Sequence, residues 1–318
     1  MYSTGLRSTG WVAKPLQARA YAETLPKLDD FWEALAAKDD GGDRFFYRAL
    51  TDQLSKVEAG EDWLEKRDGV TVLKSYHQGS VGSCVGNAEA ERQSEMAAID
   101  IVYRLDSEKF VGMFIPEWPY YASRKQAGLL RSGDGSTGYG AALAAASDGA
   151  LVAGTYGGVD VSVYTEDRCR LWGKGKSIPD EAVAEAAKHK YTKYLKVTTA
   201  KQIWTAAGFG LVYNQCSSLG WESTRDKDGA ISRAGSWMHS MCAGMARYTT
   251  KAGRKLILIR QSWGNNWTTG PYYLDQPQGS FYVDLEDAAE AAAQGDTFVD
   301  IGFIGDEADL TNISFTEM

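Results

Sequence analysis

Histidine, cysteine and proline are scarce in this 318-residue sequence, which contains three, four and seven of them. No apolar run approaches the roughly 20 residues that a membrane-spanning helix needs. The opening stretch MYSTGLRSTGWVAKPLQARAYAE also lacks the apolar centre of a secretory signal peptide. The sequence therefore predicts a cytoplasmic protein with no membrane partner.

Positive charge is in the minority as well. The 34 Lys and Arg residues stand against 42 Asp and Glu residues, so the formal net charge is −8. This balance argues against nucleic acid as a main partner. Hydrophobic residues make up 44% of the chain, which is typical of a globular protein with a large core and not of a disordered one.

Two glycine-rich stretches come close to nucleotide-binding motifs without matching them. Gly133, Gly135 and Gly138 have the spacing G-x-G-x-x-G, but no strand clearly precedes them and no acidic residue follows at the required distance. The stretch CRLWGKGKS would need glycine at position 170, which is Arg170. We therefore predict no cofactor, and no metal site is predicted either.

One loop and the helix after it organise the rest of the chain. The segment HQGSVGSC ends at Cys84, and the sequence VGNAEAERQSEMAAIDIVYRL that follows has largely apolar residues at helical spacing. A thiol in the first turn of a helix lies near unpaired backbone N–H groups and the positive end of the helix dipole. Both favour the nucleophilic thiolate. The alternative is a buried structural cysteine, the interpretation we favour for Cys169, Cys216 and Cys242.

Three blocks in the sequence resemble the papain-like cysteine peptidases. The run from Asp62 to Cys84 resembles the start of their mature domain, with Gln78 six residues before the cysteine and G-S-C at its end. The block WMHS around His239 is similar to their histidine strand, and KLILIRQSWGNNW is similar to their N-S-W-G block. The three blocks occur in the family's order.

The resemblance implies an α+β fold with two lobes and a cleft between them. One lobe is mainly helical and holds the nucleophile helix, and the other is an antiparallel, barrel-like β lobe. The resemblance also assigns six residues: Cys84 as nucleophile, His239 as its base and acid, Gln261 as the residue that orients the imidazole, Gln78 as an oxyanion-hole donor, Trp263 as a cover over the histidine, and Gly138 as a substrate-binding residue of the cleft wall.

The sequence departs from the family pattern at four positions. Gln261 replaces the usual asparagine and has one more methylene group, Val85 replaces a tryptophan, and Ser240 replaces an alanine. Val81 stands where secreted members have a disulfide cysteine. The missing cysteine fits a reducing compartment.

The chain divides into a helical extension, residues 1–60, and a papain-like domain, residues 61–318, with an insertion near 155–200. In the extension, we expect one helix capped by Asp29 or Asp30 and a second capped by Asp43. The extension could be a pro-region that blocks the cleft. We favour an arm packed on the domain or on a neighbouring subunit, because the segment is short for a pro-region.

Two functions follow from these patterns. The first is a cysteine peptidase that cleaves a peptide or isopeptide bond of a polypeptide substrate through a thioester on Cys84. The alternative is a structural component of a larger assembly, such as a virus or phage particle, that uses the same fold with weak or no catalysis. In that case, the N-terminal extension is the candidate assembly surface.

Overall fold

The computed structural model describes residues 10–25, 29–104, 109–191 and 194–301. The fold is α+β, as predicted. Its helices are α1 (Pro15–Thr24), α2 (Asp29–Lys38), α3 (Tyr47–Leu54), α4 (Cys84–Tyr103), α5 (Glu117–Gln126), α6 (Gly138–Ser147), α7 (Glu166–Trp172), α8 (Asp180–Ala186), α9 (Ala200–Gly208) and α10 (Leu285–Ala293), with a 3-10 helix at Glu58–Trp63. Within these ranges, no helix is both long and apolar enough to cross a bilayer.

The strands form one large antiparallel sheet and two small hairpins. The large sheet has the order β10-β9-β8-β7-β11-β6, with β1 paired to β8. The strands are β1 (Arg44–Phe45), β2 (Leu64–Arg67), β3 (Val70–Leu73), β4 (Thr155–Tyr156), β5 (Val159–Asp160), β6 (Tyr194–Lys196), β7 (Tyr213–Trp221), β8 (Arg233–Thr249), β9 (Lys255–Arg260), β10 (Phe281–Asp284) and β11 (Phe298–Asp300). Strand β8, which carries His239, lies between β7 and β9.

Side chains along the strands of this sheet alternate between its two faces, and each face packs in its own hydrophobic core. On one face, Leu258 of β9 packs in a cluster with Leu50 of α3 and Met96 of α4. On the other face, Ile257 packs with Ile203 of α9. Successive residues of a strand point to opposite faces, so a strand that is apolar throughout is covered on both sides.

Helix α4 is buried almost all round, and it carries charged residues into the interior. Arg260 of β9 lies 2.8 Å from Glu91 and 2.7 Å from Glu95. All three side chains are at most 2% exposed. Glu91 and Glu95 therefore connect α4 to the sheet through Arg260.

The N-terminal extension packs closely on the domain. Trp32 and Leu35 of α2 are buried in the core that contains α9, and α3 packs on α4. The prediction that Asp43 caps the second helix is wrong. Strand β1 precedes that helix, and the Asp43 carboxylate accepts a hydrogen bond from the backbone N–H of Thr249 in β8 at 2.9 Å.

Candidate active site

Cys84 is the first residue of α4, and the loop before it is fixed by the side chain of Gln78. The Gln78 Nε2 donates to the carbonyl of Val81 at 2.9 Å. Its Oε1 accepts from the Ser262 hydroxyl at 2.5 Å, and its backbone N–H donates to the Ser262 carbonyl at 2.8 Å. Gln78 therefore joins the nucleophile loop to the segment that leads into Trp263.

Strand β8 carries His239, and it brings the backbone of Ser240, the next residue, close enough to the Cys84 thiol to influence its pKa. The imidazole of His239 stacks on the Trp263 ring, with centroids 4.2 Å apart and an interplanar angle of 22°. The indole therefore covers one face of the imidazole.

The amide of Gln261 is engaged within its own loop. Its Oε1 accepts from the backbone N–H of Trp263, and its Nε2 donates to the carbonyls of Gly264 at 3.4 Å and Gly279 at 3.3 Å. Among the residues that the structure describes, neither ring nitrogen of His239 has a hydrogen-bond partner. The orienting role of Gln261 stays a prediction, and the observed bonds hold the loop that carries Trp263.

A peptide already lies in the cleft, and it belongs to this chain. Residues 10–12 run parallel to the segment around Ser136. The Val12 N–H donates to the Ser136 carbonyl at 2.7 Å, and the Ser136 N–H donates to the Gly10 carbonyl at 2.7 Å. Gly135 has φ +111°, and a Cβ there would lie 2.6 Å from Val12 Cγ2. Gly135 and Ser136 therefore form the wall that the peptide lies against.

Gly138 lies two residues beyond that wall and begins α6. Its N–H donates to the carboxylate of Asp296 at 2.8 Å. A Cβ at Gly138 would lie 2.2 Å from the carbonyl oxygen of Asp296, so glycine is required here for packing. Its assignment as a substrate-binding residue stays a prediction.

Gly10 sits directly over the nucleophile loop. A Cβ on Gly10 would lie 1.9 Å from the carbonyl oxygen of Gly82, and the backbone of Gly10 lies close enough to the Cys84 thiol to oppose the rise in its pKa. The helical pattern of the extension, which predicts an arm packed on the domain, gives no indication of this contact at residues 10–12.

The Cys84 thiol and the His239 imidazole are both fully buried in this structure. Burial raises the pKa of Cys84 to about 12, although backbone hydrogen bonds from Ser240 and Gly10 act in the opposite direction. Burial lowers the pKa of His239 to about 3. At neutral pH, the closed site therefore holds a neutral thiol and a neutral imidazole.

Two residues of the site were not predicted from the sequence, namely Trp11 and Asp296. The Trp11 indole lies in an apolar cluster with Cys84, and its Nε1 donates to the Asp296 Oδ2 at 2.6 Å. The backbone N–H of Tyr139 donates to the other carboxylate oxygen at 2.7 Å. Neither residue belongs to a recognisable motif, so no sequence signal marks them.

Comparisons with known proteins give the fold a context. No protein-family model matches the sequence, and no curated protein sequence matches it significantly. Xylellain, a cysteine protease from Xylella fastidiosa, is 16% identical with a TM-score of 0.58, over 94% of this chain and 98% of xylellain. A recombinant stem bromelain precursor is 11% identical with a TM-score of 0.52, over 92% of this chain and 77% of the precursor. The chain therefore has the papain-like fold that the sequence predicted.

Proposed function

We propose that the protein is a cysteine peptidase and that the structure is its closed form, in which its own N-terminal segment occupies the cleft. One observation carries the proposal. An extended stretch of polypeptide lies across the Cys84 thiol and is held by backbone hydrogen bonds to Ser136. A cleft that holds a peptide backbone over a thiol has the geometry that peptide-bond cleavage requires.

In the open form, Cys84 attacks the carbonyl carbon of a substrate peptide bond, and a sulfur–carbon bond forms. His239 takes the proton of the thiol and delivers it to the leaving amine as the carbon–nitrogen bond breaks. Water then hydrolyses the thioester and regenerates the thiol. The Gln78 amide and the backbone N–H of Cys84 are the proposed donors to the oxyanion. Trp263 excludes water from one face of the imidazole.

The closed form is inert for two reasons. The Gly10 backbone lies beside the thiol, where a substrate would have to present a carbonyl carbon. Both reacting side chains are also uncharged at neutral pH. A neutral thiol is a poor nucleophile, so catalysis requires residues 10–12 to leave.

The proposal is tested with internally quenched peptides and three proteins: the wild type, Gly10→Ala, and Gly10→Ala combined with Cys84→Ser. The new methyl group displaces the segment because it would overlap the Gly82 carbonyl. We expect hydrolysis to rise at least about tenfold in Gly10→Ala and to vanish with the serine. If folded Gly10→Ala protein exposes the thiol but cleaves no peptide in a diverse library, the chain is not a peptidase.

The comparisons give no support to the alternative function, a structural component of a virus or phage particle. Both solved structures named above are of proteases or their precursors. A polypeptide substrate remains the partner that we propose, and the choice between peptide and isopeptide bonds is settled by the same library.

A further inference from the structure

The pocket beside Cys84 has apolar walls and an acid at its end. Trp11 packs in it against Val85 of α4, Ala141 of α6 and Met238 of β8. The indole is only 7% exposed, and its single polar atom, Nε1, donates to Asp296. The pocket therefore matches both the apolar surface of the indole and its one hydrogen-bond donor.

The acid is held in a fixed orientation. Its Oδ1 accepts from the Tyr139 N–H, and its Oδ2 accepts from both the Gly138 N–H and the Trp11 indole. Asp296 is 2% exposed, so it has no room to turn toward solvent. A carboxylate anchored at the start of α6 keeps one oxygen directed at whatever side chain fills the pocket.

We propose that this pocket selects a tryptophan side chain of the peptide substrate and that Asp296 is the residue that determines the selection. The inference rests on the proposed peptidase function and adds the substrate class. Phenylalanine or leucine would fill the walls but leave the buried oxygen without its side-chain donor. A lysine would supply a donor and pair with the carboxylate, but burying both charges costs desolvation free energy that their attraction does not generally repay.

A buried hydrogen bond to a charged group discriminates strongly against an analogue that lacks the donor. Losing the indole donor leaves the buried Oδ2 with the Gly138 N–H as its one remaining partner among the hydrogen bonds described above, and a buried charged acceptor that loses one of two donors is destabilised. Sites built around a buried hydrogen bond reject substrates without it far better than purely apolar pockets reject a changed shape. We therefore expect a preference of at least about tenfold in kcat/KM for tryptophan over an isostere without the N–H.

The experiment uses the full-length chain with Trp11→Ala in the Gly10→Ala background, so that residues 10–12 leave the cleft and the indole leaves the pocket. The substrates are internally quenched peptides of one sequence, in which each position in turn holds tryptophan, benzothienylalanine, phenylalanine or lysine. Benzothienylalanine has sulfur in place of the indole N–H and nearly the same shape. At one position, tryptophan should exceed the sulfur analogue by about tenfold or more.

Adding Asp296→Ala should bring that ratio to about one, whereas Asp167→Ala, an exposed acid on α7, should leave it unchanged. Because both substrates are measured on the same protein, a loss of folded enzyme lowers both rates equally and leaves their ratio unchanged. A ratio near one at every position in the Trp11→Ala protein would overturn the proposal even if the Asp296 variant does not fold. A preference for lysine or phenylalanine would overturn it too.

A second measurement separates the failure of this inference from the failure of the peptidase proposal. If no peptide is cleaved, the alkylation rate of Cys84 by iodoacetamide is compared in the wild type, Trp11→Phe, Asp296→Ala and the double variant. If Trp11 and Asp296 act through their shared hydrogen bond, Cys84 in the double variant should be alkylated no faster than in the faster of the two single variants. If the two single substitutions accelerate alkylation additively, Asp296 does not recognise the Trp11 indole, and the proposal fails. If their effects are coupled, the recognition of an indole by Asp296 stands even though the peptidase proposal has failed.

Discussion

The reactivity of Cys84 depends on whether its surroundings contain water. The thiol and the His239 imidazole are both fully buried in the closed form, and burial moves their pKa values away from each other, to about 12 and about 3. Under the proposed mechanism, opening the cleft restores water and lets an imidazolium stabilise the thiolate. The same two side chains would then be an inert pair in one form and a nucleophilic pair in the other.

The first prediction is that Cys84 of the wild type is alkylated slowly at every pH below 9. At pH 6, Cys84 of Gly10→Ala should be alkylated at least about tenfold faster than in the wild type, because an ion-paired thiol titrates well below its usual range. The measurement is the alkylation rate against pH, with the adduct mapped by mass spectrometry. His239→Ala in the Gly10→Ala background should return the profile to that of an ordinary thiol. Coincident profiles with and without the histidine would show that the two side chains do not interact.

The second prediction concerns the Gln261 amide. Gln261→Ala removes the acceptor for the Trp263 N–H and the donor to the Gly264 and Gly279 carbonyls, so it should lower the free energy of unfolding by about 1–3 kcal/mol. Turnover should fall as well, since Trp263 covers the imidazole. Urea denaturation measures the first effect. Gln17→Ala, at an exposed position on α1, is the matched control and should change stability little.

At the scale of single residues, the sequence predicts the residues that lie in family motifs but not those that form the pocket around Trp11. Cys84, His239, Gln78 and Trp263 lie in blocks whose spacing indicates their shared location. The hydrogen bonds of Gln261 depend on a rotamer that its extra methylene allows, and a sequence pattern does not encode rotamers. The contact between Trp11 and Asp296 joins residues 285 positions apart without any motif.

Helix α4 joins the two halves of the site through buried ion pairs. Glu91 and Glu95 face Arg260 of β9 in an environment that raises the pKa of each carboxyl to about 7. Burial dominates, and the guanidinium offsets only part of it. Helix α4 and the sheet are thus connected by buried groups of opposite charge, and each group depends on its partner to be stable in the interior.

The third prediction is that Arg260→Met destabilises the protein by about 3–5 kcal/mol, because two carboxyls remain buried without their cation. The loss should shrink as pH falls, since protonation neutralises both acids. Chemical denaturation at pH 8 and pH 5 measures it. Arg233→Met removes an exposed pair with Glu290 and should cost less than about 1 kcal/mol. Equal losses in the two variants would contradict the prediction.

The fourth prediction tests the wall of the cleft. Gly135→Ala should expose Cys84 to alkylation because the new methyl group would overlap Val12 and the Gly10 carbonyl. Gly128→Ala is the matched control: it also has positive φ, at +69°, but nothing lies within 4 Å of the position that its Cβ would take. Both variants should lose about 1 kcal/mol of stability through backbone strain. Only Gly135→Ala should react faster.

The secondary-structure elements with the strongest local sequence patterns are the ones predicted most accurately. The sequence predicts a strand at Lys255–Arg260, which is observed as β9 over the same residues, and Thr199 caps α9 through a capping box. Helix α1 was not predicted, because only Ala18 of that helix is buried and its apolar pattern is correspondingly weak. The sequence also predicts a strand around residues 297–304, which is observed as β11 at Phe298–Asp300; residues 302–304 lie outside the described residues.

The whole molecule should respond to pH through the closed cleft. When the cleft opens to the proposed ion pair, the thiol proton moves to the imidazole, so the closed and open forms bind the same number of protons near neutral pH. Because burial lowers the pKa of His239 in the closed form to about 3, the closed form loses stability once the pH falls below the pKa of the open thiolate, roughly 3.5–7.5. Because burial raises the pKa of Cys84 in the closed form to about 12, the closed form also loses stability once the pH rises above the pKa of the open imidazolium. The closed form is therefore favoured most between those two pKa values of the open pair.

The fifth prediction is that amide protection of Val12 and Ser136, corrected for intrinsic exchange rates, changes little near pH 7 and falls as the pH drops through the pKa of the open thiolate, roughly 3.5–7.5. The expected slope is at most about 1.4 kcal/mol per pH unit. Amides of β9 serve as the reference and should stay protected, which distinguishes opening of the cleft from global unfolding. In His239→Ala, the decrease should disappear. Protection that stays independent of pH down to about pH 3.5 in the wild type would rule out this linkage.

Residues 10–12 are joined directly to α1, which begins at Pro15 and packs on α6. A short tether of this kind keeps the segment at an effective concentration on the order of millimolar, whatever the dilution of the protein. A substrate must compete against that local concentration. A single chain break between Val12 and Pro15 would make the segment an ordinary ligand, which is lost on dilution if its own affinity is weaker than the protein concentration. Such activation would be irreversible, and its extent would depend on concentration.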